Sequence, residues 1–215
     1  MILGEVRNIA RAHAALKQTQ WRKSFPNSEY IPELNGKTVG LVGYGYVGFL
    51  TAGYLHAFGC SIVAYDPYFR GDPGPVRLVD LPTLLRDSDV ISIHARLTDE
   101  SHHLIGEKEF AQMKSGAVLV NTARSGLVDE QALVKALQEK RIKGAAIDVF
   151  DTEPLPPDHP LLQLDNVTLT PHLAGSTRDA FTGSPKLMCG HLINLINGKP
   201  NLPIVNGVPA PKLRI

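Results

Sequence analysis

Short apolar segments alternate along the chain with longer segments whose apolar residues recur at helical spacing. Short apolar runs bounded by polar or glycine-rich turns predict buried strands, and the helical spacing predicts amphipathic helices. The pattern predicts seven strands, at residues 38–43, 61–66, 76–79, 90–94, 117–121, 144–150 and 167–170. The main helices are predicted at about 46–58, 81–87, 129–141 and 176–197. This alternation predicts an α/β fold with a doubly wound parallel sheet and helices on both faces.

The first part of the chain departs from this alternation. Residues 2–20 carry an apolar stripe that predicts one helix, whereas residues 21–36 lose the periodicity and contain Pro26 and Pro32, which predicts an extended arm. We therefore expect one domain, residues 1–215, with three parts. They are the opening helix and arm at 1–36, the core at 37–200 and a C-terminal tail at 201–215.

Several residues are typical of helix boundaries. Asp129 is the predicted N-cap of the helix that follows it. Ser176 and Asp179 have the spacing of a capping box and predict the start of the last helix, which Gly198 and Pro200 should end. Pro185 lies inside this last helix and predicts a kink.

Composition and charge exclude several classes of protein. Of the 215 residues, 43% are hydrophobic and 20% are charged, which is typical of a folded chain rather than a disordered one. The formal net charge of +1 gives no electrostatic reason to expect binding to nucleic acid or to an anionic membrane. No apolar run is long enough for a transmembrane helix, and the charged start is not typical of a secretory signal.

The cysteine and histidine positions indicate a cytoplasmic protein without a metal site. Cys60 and Cys189 are far apart in the sequence, so we expect reduced thiols. No spacing typical of metal ligands occurs, and we expect no metal.

A glycine-rich turn joins the first predicted strand to the next helix. Gly43, Gly45 and Gly48 form a GxGxxG sequence, and Asp66 ends the following strand. In this context Gly43 permits the tight turn, Gly45 permits close approach of a pyrophosphate, and Gly48 permits close packing of helix and strand. An acidic residue at the end of the second strand favours NAD over NADP, because it accepts hydrogen bonds from the ribose and repels a 2′-phosphate. The nearby Arg70 leaves NADP open.

Two other interpretations of this turn remain open. The glycines could form a strand-to-helix connection that binds nothing, with Asp66 merely exposed. A nucleotide-binding methyltransferase can also combine a glycine turn with an acidic residue. The order of strand, turn and helix favours dinucleotide binding.

Three polar residues are predicted at the carboxyl ends of neighbouring strands, where open parallel sheets bind their ligands. Arg124 follows the fifth strand, Glu153 the sixth and His172 the seventh. Arginine binds a carboxylate through two parallel hydrogen bonds, histidine exchanges protons near neutral pH, and a carboxylate beside the histidine orients its ring. Together they predict transfer of a hydride and a proton to a 2-oxo acid.

Each of these residues could instead have no part in catalysis. Arg124 could lie on the surface, Glu153 could be a solvated loop carboxylate, and His172 could cap the last helix. His94 competes with His172 because it also ends a strand, and we interpret it as a positioning residue near the cofactor. The remaining histidines, at positions 13, 56, 102, 103, 159 and 191, are interpreted as non-catalytic.

Three segments resemble signatures of the D-isomer-specific 2-hydroxyacid dehydrogenases, a family that includes D-3-phosphoglycerate dehydrogenase. They are NTARSGLVDE at 121–130, DVFDTEP at 148–154 and PHLAG at 171–175. The runs LVGYGYVG at 41–48 and YDP at 65–67 are similar to the family's cofactor turn. The resemblance covers nearly the whole chain and implies an NAD-binding Rossmann domain. By resemblance, Arg124 holds the substrate carboxylate, His172 is the acid and base, and Glu153 is its partner.

The resemblance also implies the cofactor contacts. Asp148 falls on the position that contacts the nicotinamide carboxamide, and the segment 122–123 lies along the nicotinamide ribose. The expected cofactor-binding residues are Gly43, Gly45, Tyr46, Val47, Gly48, Asp66, Pro67, His94, Thr122, Ala123, Asp148, Ala174 and Gly175.

The chain departs from the family at its start. Family members have a substrate domain before the helix that opens this chain, so the resemblance implies a cofactor domain alone. Arg96 stands where the family usually has a proline, and we expect it to face solvent rather than an acidic substrate. We therefore expect an NAD-dependent oxidoreductase of small 2-hydroxy and 2-oxo acids. The alternative is a catalytically incompetent module for NAD(H) binding or dimerisation.

The family dimerises through its cofactor domain, and the predicted arm carries four apolar residues. These are Trp21, Phe25, Tyr30 and Ile31. Apolar residues on an irregular segment suggest burial against a second copy, so we expect a homodimer.

Overall fold

A computed structural model describes residues 1–28 and 31–198. Tyr30, Pro200 and the predicted tail at 201–215 lie outside the described residues. The chain divides into two compact units, residues 1–172 and 173–215, which are described separately. The expected organisation as one domain therefore stays a prediction.

The first unit contains a seven-stranded parallel sheet. Its strands are β1 (Thr38–Val42), β2 (Ser61–Tyr65), β3 (Arg77–Leu78), β4 (Val90–Ile93), β5 (Val118–Asn121), β6 (Gly144–Ile147) and β7 (Val167–Leu169). The strand order is β3-β2-β1-β4-β5-β6-β7, and every neighbouring pair is parallel. The chain reverses its direction of travel across the sheet between β1 and β4, the position where doubly wound sheets bind their ligands. The predicted fold class is confirmed.

Helices cover both faces of the sheet. In the first unit they are α1 (Ile2–Val6), α2 (Ile9–Lys17), α3 (Tyr46–Ala57), α4 (Leu81–Asp87), α5 (Glu107–Phe110) and α6 (Glu130–Gln138). The second unit contains α7 (Arg178–Ile196). Successive strand residues point to opposite faces. Val39 and Leu41 of β1 pack in one apolar layer with Leu55 of α3, whereas Val42 packs in the other with Leu84 of α4.

The opening segment is two helices, so the prediction of one helix over residues 2–20 is wrong. Asn8 separates α1 from α2 with a φ of 58°, a left-handed conformation that asparagine tolerates better than most residues. Its side-chain amide donates to the carbonyl of Pro26 at 3.0 Å. A contact with a residue distant in sequence therefore holds the break.

The helix-cap predictions have mixed outcomes. Asp129 caps α6, since its carboxylate accepts the Ala132 N–H at 3.0 Å. In the second unit the N-cap of α7 is Thr177, whose hydroxyl accepts the Ala180 N–H at 3.0 Å, and the predicted cap at Ser176 is wrong by one residue. Pro185 lies inside α7, and the kink there stays a prediction. None of the helices in the described ranges combines the length and apolar character needed to cross a bilayer.

Candidate active site

The turn between β1 and α3 has a conformation that requires glycine. Gly43 has a φ of 96°, and its N–H donates to the Tyr65 carbonyl at 2.8 Å. A Cβ at this position would lie 2.5 Å from the backbone nitrogen of Ala95. A Cβ on Gly48 would overlap the Gly43 carbonyl oxygen. These two glycines therefore bring the start of α3 against β1 and β4.

Gly45 has a different role, because no atom lies within 4 Å of where its Cβ would be. It is the N-cap of α3, and no side chain caps this helix end. Tyr46 and Val47, in the first turn, are exposed. Bare backbone N–H groups at a helix N-terminus favour an anion, and the open space at Gly45 lets it approach closely. The turn therefore fits the pyrophosphate of a dinucleotide.

Asp66 lies directly beyond β2 and is tied to this turn. Its Oδ2 accepts the Tyr44 N–H at 2.9 Å, and its Oδ1 accepts the Tyr68 N–H at 2.9 Å. Each oxygen of a carboxylate has two acceptor positions, so each retains one for a ribose hydroxyl. Pro67 follows on the exposed surface. The guanidinium of Arg70 donates to the Pro67 and Phe69 carbonyls of its own loop at 3.2 and 2.8 Å.

His94 lies just beyond β4, at the level of the glycine turn. Its Nε2 is 3.0 Å from the Ser92 hydroxyl, and its backbone N–H donates to the Val42 carbonyl at 2.7 Å. Burial lowers the pKa of His94 to about 4, so its imidazole is neutral near pH 7. A neutral histidine of this kind is a poor proton donor, which favours His172 as the acid.

His172 and Glu153 form a hydrogen-bonded pair beyond β7 and β6. The His172 Nδ1 lies 2.8 Å from Glu153 Oε2. Glu153 Oε1 accepts the Phe150 N–H at 3.0 Å. The hydrogen bond from His172 and then the one from Phe150 hold the pKa of Glu153 below its usual value. Both side chains remain open to solvent, with 50% and 38% of their surfaces exposed.

Hydrogen bonds also hold the backbone of His172. Its φ is 52°, and its N–H lies 2.9 Å from the Asp148 carbonyl and 3.0 Å from the Thr170 carbonyl. The Thr170 hydroxyl donates to the buried Asp148 carboxylate. The backbone N–H of Asp148 donates to the Asn121 carbonyl at 3.0 Å, so the ends of β5, β6 and β7 are tied together.

Arg124 projects from the loop that follows β5. The Asn121 side chain holds this loop by donating to the Arg124 carbonyl at 2.9 Å and accepting the Ala123 N–H at 3.0 Å. Thr122 and Ala123 are partly buried, whereas Arg124 is exposed. Its Nη1 donates to the Ala123 carbonyl at 2.6 Å, and it pairs with no carboxylate in the described part of the chain. The guanidinium is therefore available to an acidic ligand.

A second histidine–carboxylate pair holds the loop that carries Glu153. Glu130 Oε1 lies 2.9 Å from His159 Nε2, and Glu130 Oε2 accepts the Asp151 N–H at 3.4 Å. His159 Nδ1 accepts the Leu161 N–H at 3.3 Å, so Nε2 carries the proton of the neutral ring. His159 therefore helps to hold this loop, and its interpretation as non-catalytic stays a prediction.

Sequence reasoning missed the residues that hold the site from behind. Asn121 and Thr170 were not predicted to be functional, although polar side chains at the end of buried strands are a recognisable signal. Glu130, the first residue of α6, carries no such signal. Ala174 and Gly175 belong to the second unit, and their predicted cofactor contacts stay predictions. Among the described residues, no group of three or more His, Cys, Asp or Glu could hold a metal ion.

Comparison with known proteins decides the family. The model of the family described as D-isomer specific 2-hydroxyacid dehydrogenase, NAD binding domain, matches residues 1–174. The chain belongs to this family. The family expected from the sequence signatures is thereby confirmed. The expected cofactor, NAD, is confirmed as well.

Three similar proteins illustrate the range of this dehydrogenase family. The chain is 45% identical over 212 residues to a glyoxylate reductase of Thermofilum pendens, covering 96% of the chain and 62% of the relative. It is 41% identical over 217 residues to a D-3-phosphoglycerate dehydrogenase of Archaeoglobus fulgidus, covering 99% of the chain and 40% of the relative. The NAD-complexed D-isomer specific 2-hydroxyacid dehydrogenase of Lactobacillus delbrueckii has a TM-score of 0.81 at 29% identity, covering 95% of this chain and 66% of that one.

The dehydrogenase domain described here is thus shorter than the relatives it matches. It spans 62% and 40% of the two curated relatives and corresponds to their C-terminal part.

Proposed function

We propose that this chain carries the catalytic groups of an NAD-dependent D-2-hydroxyacid dehydrogenase. The observation that carries the proposal is the His172–Glu153 pair at 2.8 Å, on the same edge of the sheet as the exposed Arg124 and the glycine turn. The fold brings the cofactor turn and these three side chains to one edge, because all seven strands run parallel.

The side chains divide the work of reducing a 2-oxo acid. NADH, when bound, supplies the hydride. Arg124 binds the substrate carboxylate through two hydrogen bonds and thereby fixes the carbonyl carbon. Since Nδ1 of His172 faces Glu153, Nε2 is the atom that donates a proton to the carbonyl oxygen. Oxidation of the hydroxy acid uses the same groups in reverse, with His172 as the base.

Glu153 acts through His172. Its carboxylate accepts a hydrogen bond from the Nδ1–H and fixes the orientation of the ring, so that Nε2 faces the substrate in both directions of the reaction. His94, Thr122, Ala123 and Asp148 line the expected path of the nicotinamide half.

The substrate is proposed to be a small 2-oxo acid, in keeping with the names of the relatives. Glyoxylate and hydroxypyruvate reductases occur among them, as do D-3-phosphoglycerate dehydrogenases. Arg96 is exposed beyond β4, and we expect it to face solvent rather than the substrate.

We propose that turnover requires residues outside the NAD-binding domain that this chain represents. Hydride transfer needs a closed site from which water is excluded, and His172 and Glu153 are exposed. We expect the 215-residue chain to bind NADH with little reduction of glyoxylate. Activity should appear when the chain follows the N-terminal part of the T. pendens relative. Ordinary turnover by the 215-residue chain alone would show that no second wall is needed, and NADH binding without turnover in both forms would favour the binding module.

A homodimer is proposed on two exposed apolar surfaces. Trp21 on the arm is 68% exposed, while Phe25 and Ile31 are partly buried. One side of α3 and its C-cap carry further exposed apolar side chains at helical spacing, namely Tyr46, Leu50, Tyr54 and Phe58. Such a stripe suits a two-fold interface in which each copy covers the other. Sedimentation at micromolar concentration should show a dimer that Tyr54→Arg weakens and Lys108→Gln does not. A wild-type monomer contradicts this.

A cytoplasmic location is also proposed. Both cysteines are free thiols, and Cys189 is exposed, which suits a reducing compartment. Fractionation of cells that produce the protein tests this, and recovery outside the cytoplasm contradicts it.

A further inference from the structure

A hydrogen bond between Tyr68 and Glu100 links two loops that lie on either side of the glycine turn. Tyr68 belongs to the loop that follows β2, and Glu100 belongs to the loop that follows β4. The Tyr68 hydroxyl donates to Glu100 Oε2. Because β1 lies between β2 and β4, the strands that carry the two loops are two strand spacings, or about 10 Å, apart. The link therefore spans the carboxyl end of β1, where the glycine turn begins.

Asp66 holds the Tyr68 end of this link. Its Oδ1 accepts the Tyr68 N–H at 2.9 Å, while its Oδ2 accepts the Tyr44 N–H of the glycine turn at 2.9 Å. Tyr68 is thus attached to the carboxylate that is expected to bind the adenosine ribose. The hydrogen bond to Glu100 raises the pKa of the Tyr68 phenol, so its hydroxyl stays protonated and donates near pH 7.

A short capped turn holds the Glu100 end. Glu100 is the middle residue of the 3-10 turn Asp99–Ser101. The Thr98 N–H donates to the Ser101 hydroxyl at 2.8 Å, and this hydroxyl lies 2.8 Å from the Arg96 carbonyl to which it donates. The backbone is therefore fixed at both ends of the link, whereas the Tyr68 and Glu100 side chains are exposed. The Glu100 carboxylate remains accessible to a charged ligand.

The two linked loops carry more negative than positive charge. Residues 66–74 and 94–101 contain four carboxylates, which two guanidinium groups oppose. The carboxylates are Asp66, Asp72, Asp99 and Glu100, and the guanidinium groups are Arg70 and Arg96. Arg70 donates to two carbonyls of its own loop, and the neutral imidazole of His94 adds no positive charge. A ligand with an extra anionic group near Asp66 would therefore be repelled.

We propose that Glu100, held in place by Tyr68, is a second determinant of the preference for NAD over NADP. NADP carries a phosphate on the 2′-oxygen of the adenosine ribose, and the proposal rests on the placement of that ribose at Asp66. Glu100 repels this phosphate from across the turn. Repulsion between a carboxylate and a phosphate of about two negative charges, at about 10 Å in water, corresponds to roughly a fourfold change in Kd. NAD has a neutral hydroxyl at this position and does not experience it.

Fluorescence titration of the full 215-residue chain with NADH and NADPH tests the proposal. Glu100→Gln keeps an oxygen that accepts the Tyr68 hydroxyl but removes the charge. It should bind NADPH about three- to fivefold more tightly and NADH as the wild-type chain does. Asp99→Asn removes a carboxylate from the same turn and should change NADPH affinity less. Because salt screens charge repulsion, the gain in Glu100→Gln should shrink as sodium chloride rises from about 0.05 to about 0.5 M.

Tyr68→Phe tests the link itself. It keeps the charge of Glu100 but frees the side chain, so NADPH affinity should rise by less than in Glu100→Gln. The double variant should match Glu100→Gln, since Tyr68 acts through Glu100. An unchanged ratio of NADH to NADPH affinity in Glu100→Gln, or an equal change in Asp99→Asn, overturns the proposal. An unchanged ratio in Tyr68→Phe overturns the role of Tyr68. Tighter binding of NADPH than of NADH by the wild-type chain instead overturns the placement of the ribose at Asp66.

Discussion

His172 and Glu153 are joined through Nδ1 and Oε2 at 2.8 Å, and the other oxygen of the same carboxylate accepts the Phe150 N–H at 3.0 Å. Both oxygens of Glu153 are therefore used to fix a ring that is itself half exposed. The carboxylate needs no burial to do this, since the backbone holds it on one side and the imidazole on the other.

Removal of this carboxylate should abolish the preference of the neutral His172 ring for the tautomer that carries its proton on Nδ1. In Glu153→Ala the neutral ring loses its acceptor at Nδ1, so the two tautomers should approach the mixture found in a free histidine. Nitrogen-15 NMR of the labelled imidazole measures this in the 215-residue chain without requiring turnover. Asp151→Ala removes an exposed carboxylate from the same loop and should leave the spectrum unchanged. An identical tautomer in Glu153→Ala contradicts the assigned role.

Cofactor preference should depend on the charge of Asp66. The wild-type chain should bind NADH more tightly than NADPH, and Asp66→Ala should narrow the difference. Because Asp66 also accepts the Tyr44 and Tyr68 N–H groups, Asp66→Ala should weaken NADH binding as well. Fluorescence titration with both cofactors measures the two effects, and Asp72→Ala in the following loop is the matched control. Tighter binding of NADPH by the wild-type chain contradicts the assignment.

Gly45→Ala should weaken cofactor binding without destabilising the fold. The open space at this position accommodates a methyl group in the folded chain, but that group would occupy the approach of the pyrophosphate. We expect a melting temperature close to that of the wild-type chain and NADH affinity lower by at least about tenfold, which corresponds to ~1.4 kcal/mol. Gly53→Ala, within α3, also meets no atom within 4 Å and should retain affinity. Unchanged NADH binding by Gly45→Ala contradicts the fit of the turn.

The stability of the fold should depend on pH through His94. Its pKa falls from 6.5 to about 4 on folding, so between these values the unfolded chain takes up a proton that the folded chain does not. His94 is therefore expected to cost up to about 3 kcal/mol of unfolding free energy as the pH falls from 7 to 4. Urea unfolding across this range measures the loss, which His94→Gln should reduce and His56→Gln should not. A parallel loss in His94→Gln and wild type rules out His94 as the cause.

The sequence pattern predicts the sheet well because buried parallel strands are nearly continuous apolar runs. It predicts strands that are too long at their carboxyl ends. Val149 and Phe150, for example, are buried and were included in the sixth strand, although β6 ends at Ile147. The break at Asn8 depends on Pro26, a partner far away in sequence, so local periodicity could not reveal it.

The sequence also indicates where a candidate site would lie. Arg124, Glu153 and His172 stand out because each follows a strand, and parallel strands end at one edge. Asn121 acts by holding the backbone of the next loop, and its bond to the Arg124 carbonyl follows from the fold of that loop rather than from a sequence motif.

The most direct test of the proposed activity is the turnover of glyoxylate by this chain joined to the N-terminal part of the T. pendens relative, with and without His172. His172→Ala should lower kcat by roughly 10²–10⁴-fold while the Kd for NADH stays unchanged, because the ring moves a proton and does not hold the cofactor. Arg124→Lys should instead raise KM sharply, since one ammonium cannot replace the two parallel hydrogen bonds of a guanidinium. Wild-type kcat in His172→Ala would contradict the account, because the proton would then come from another group.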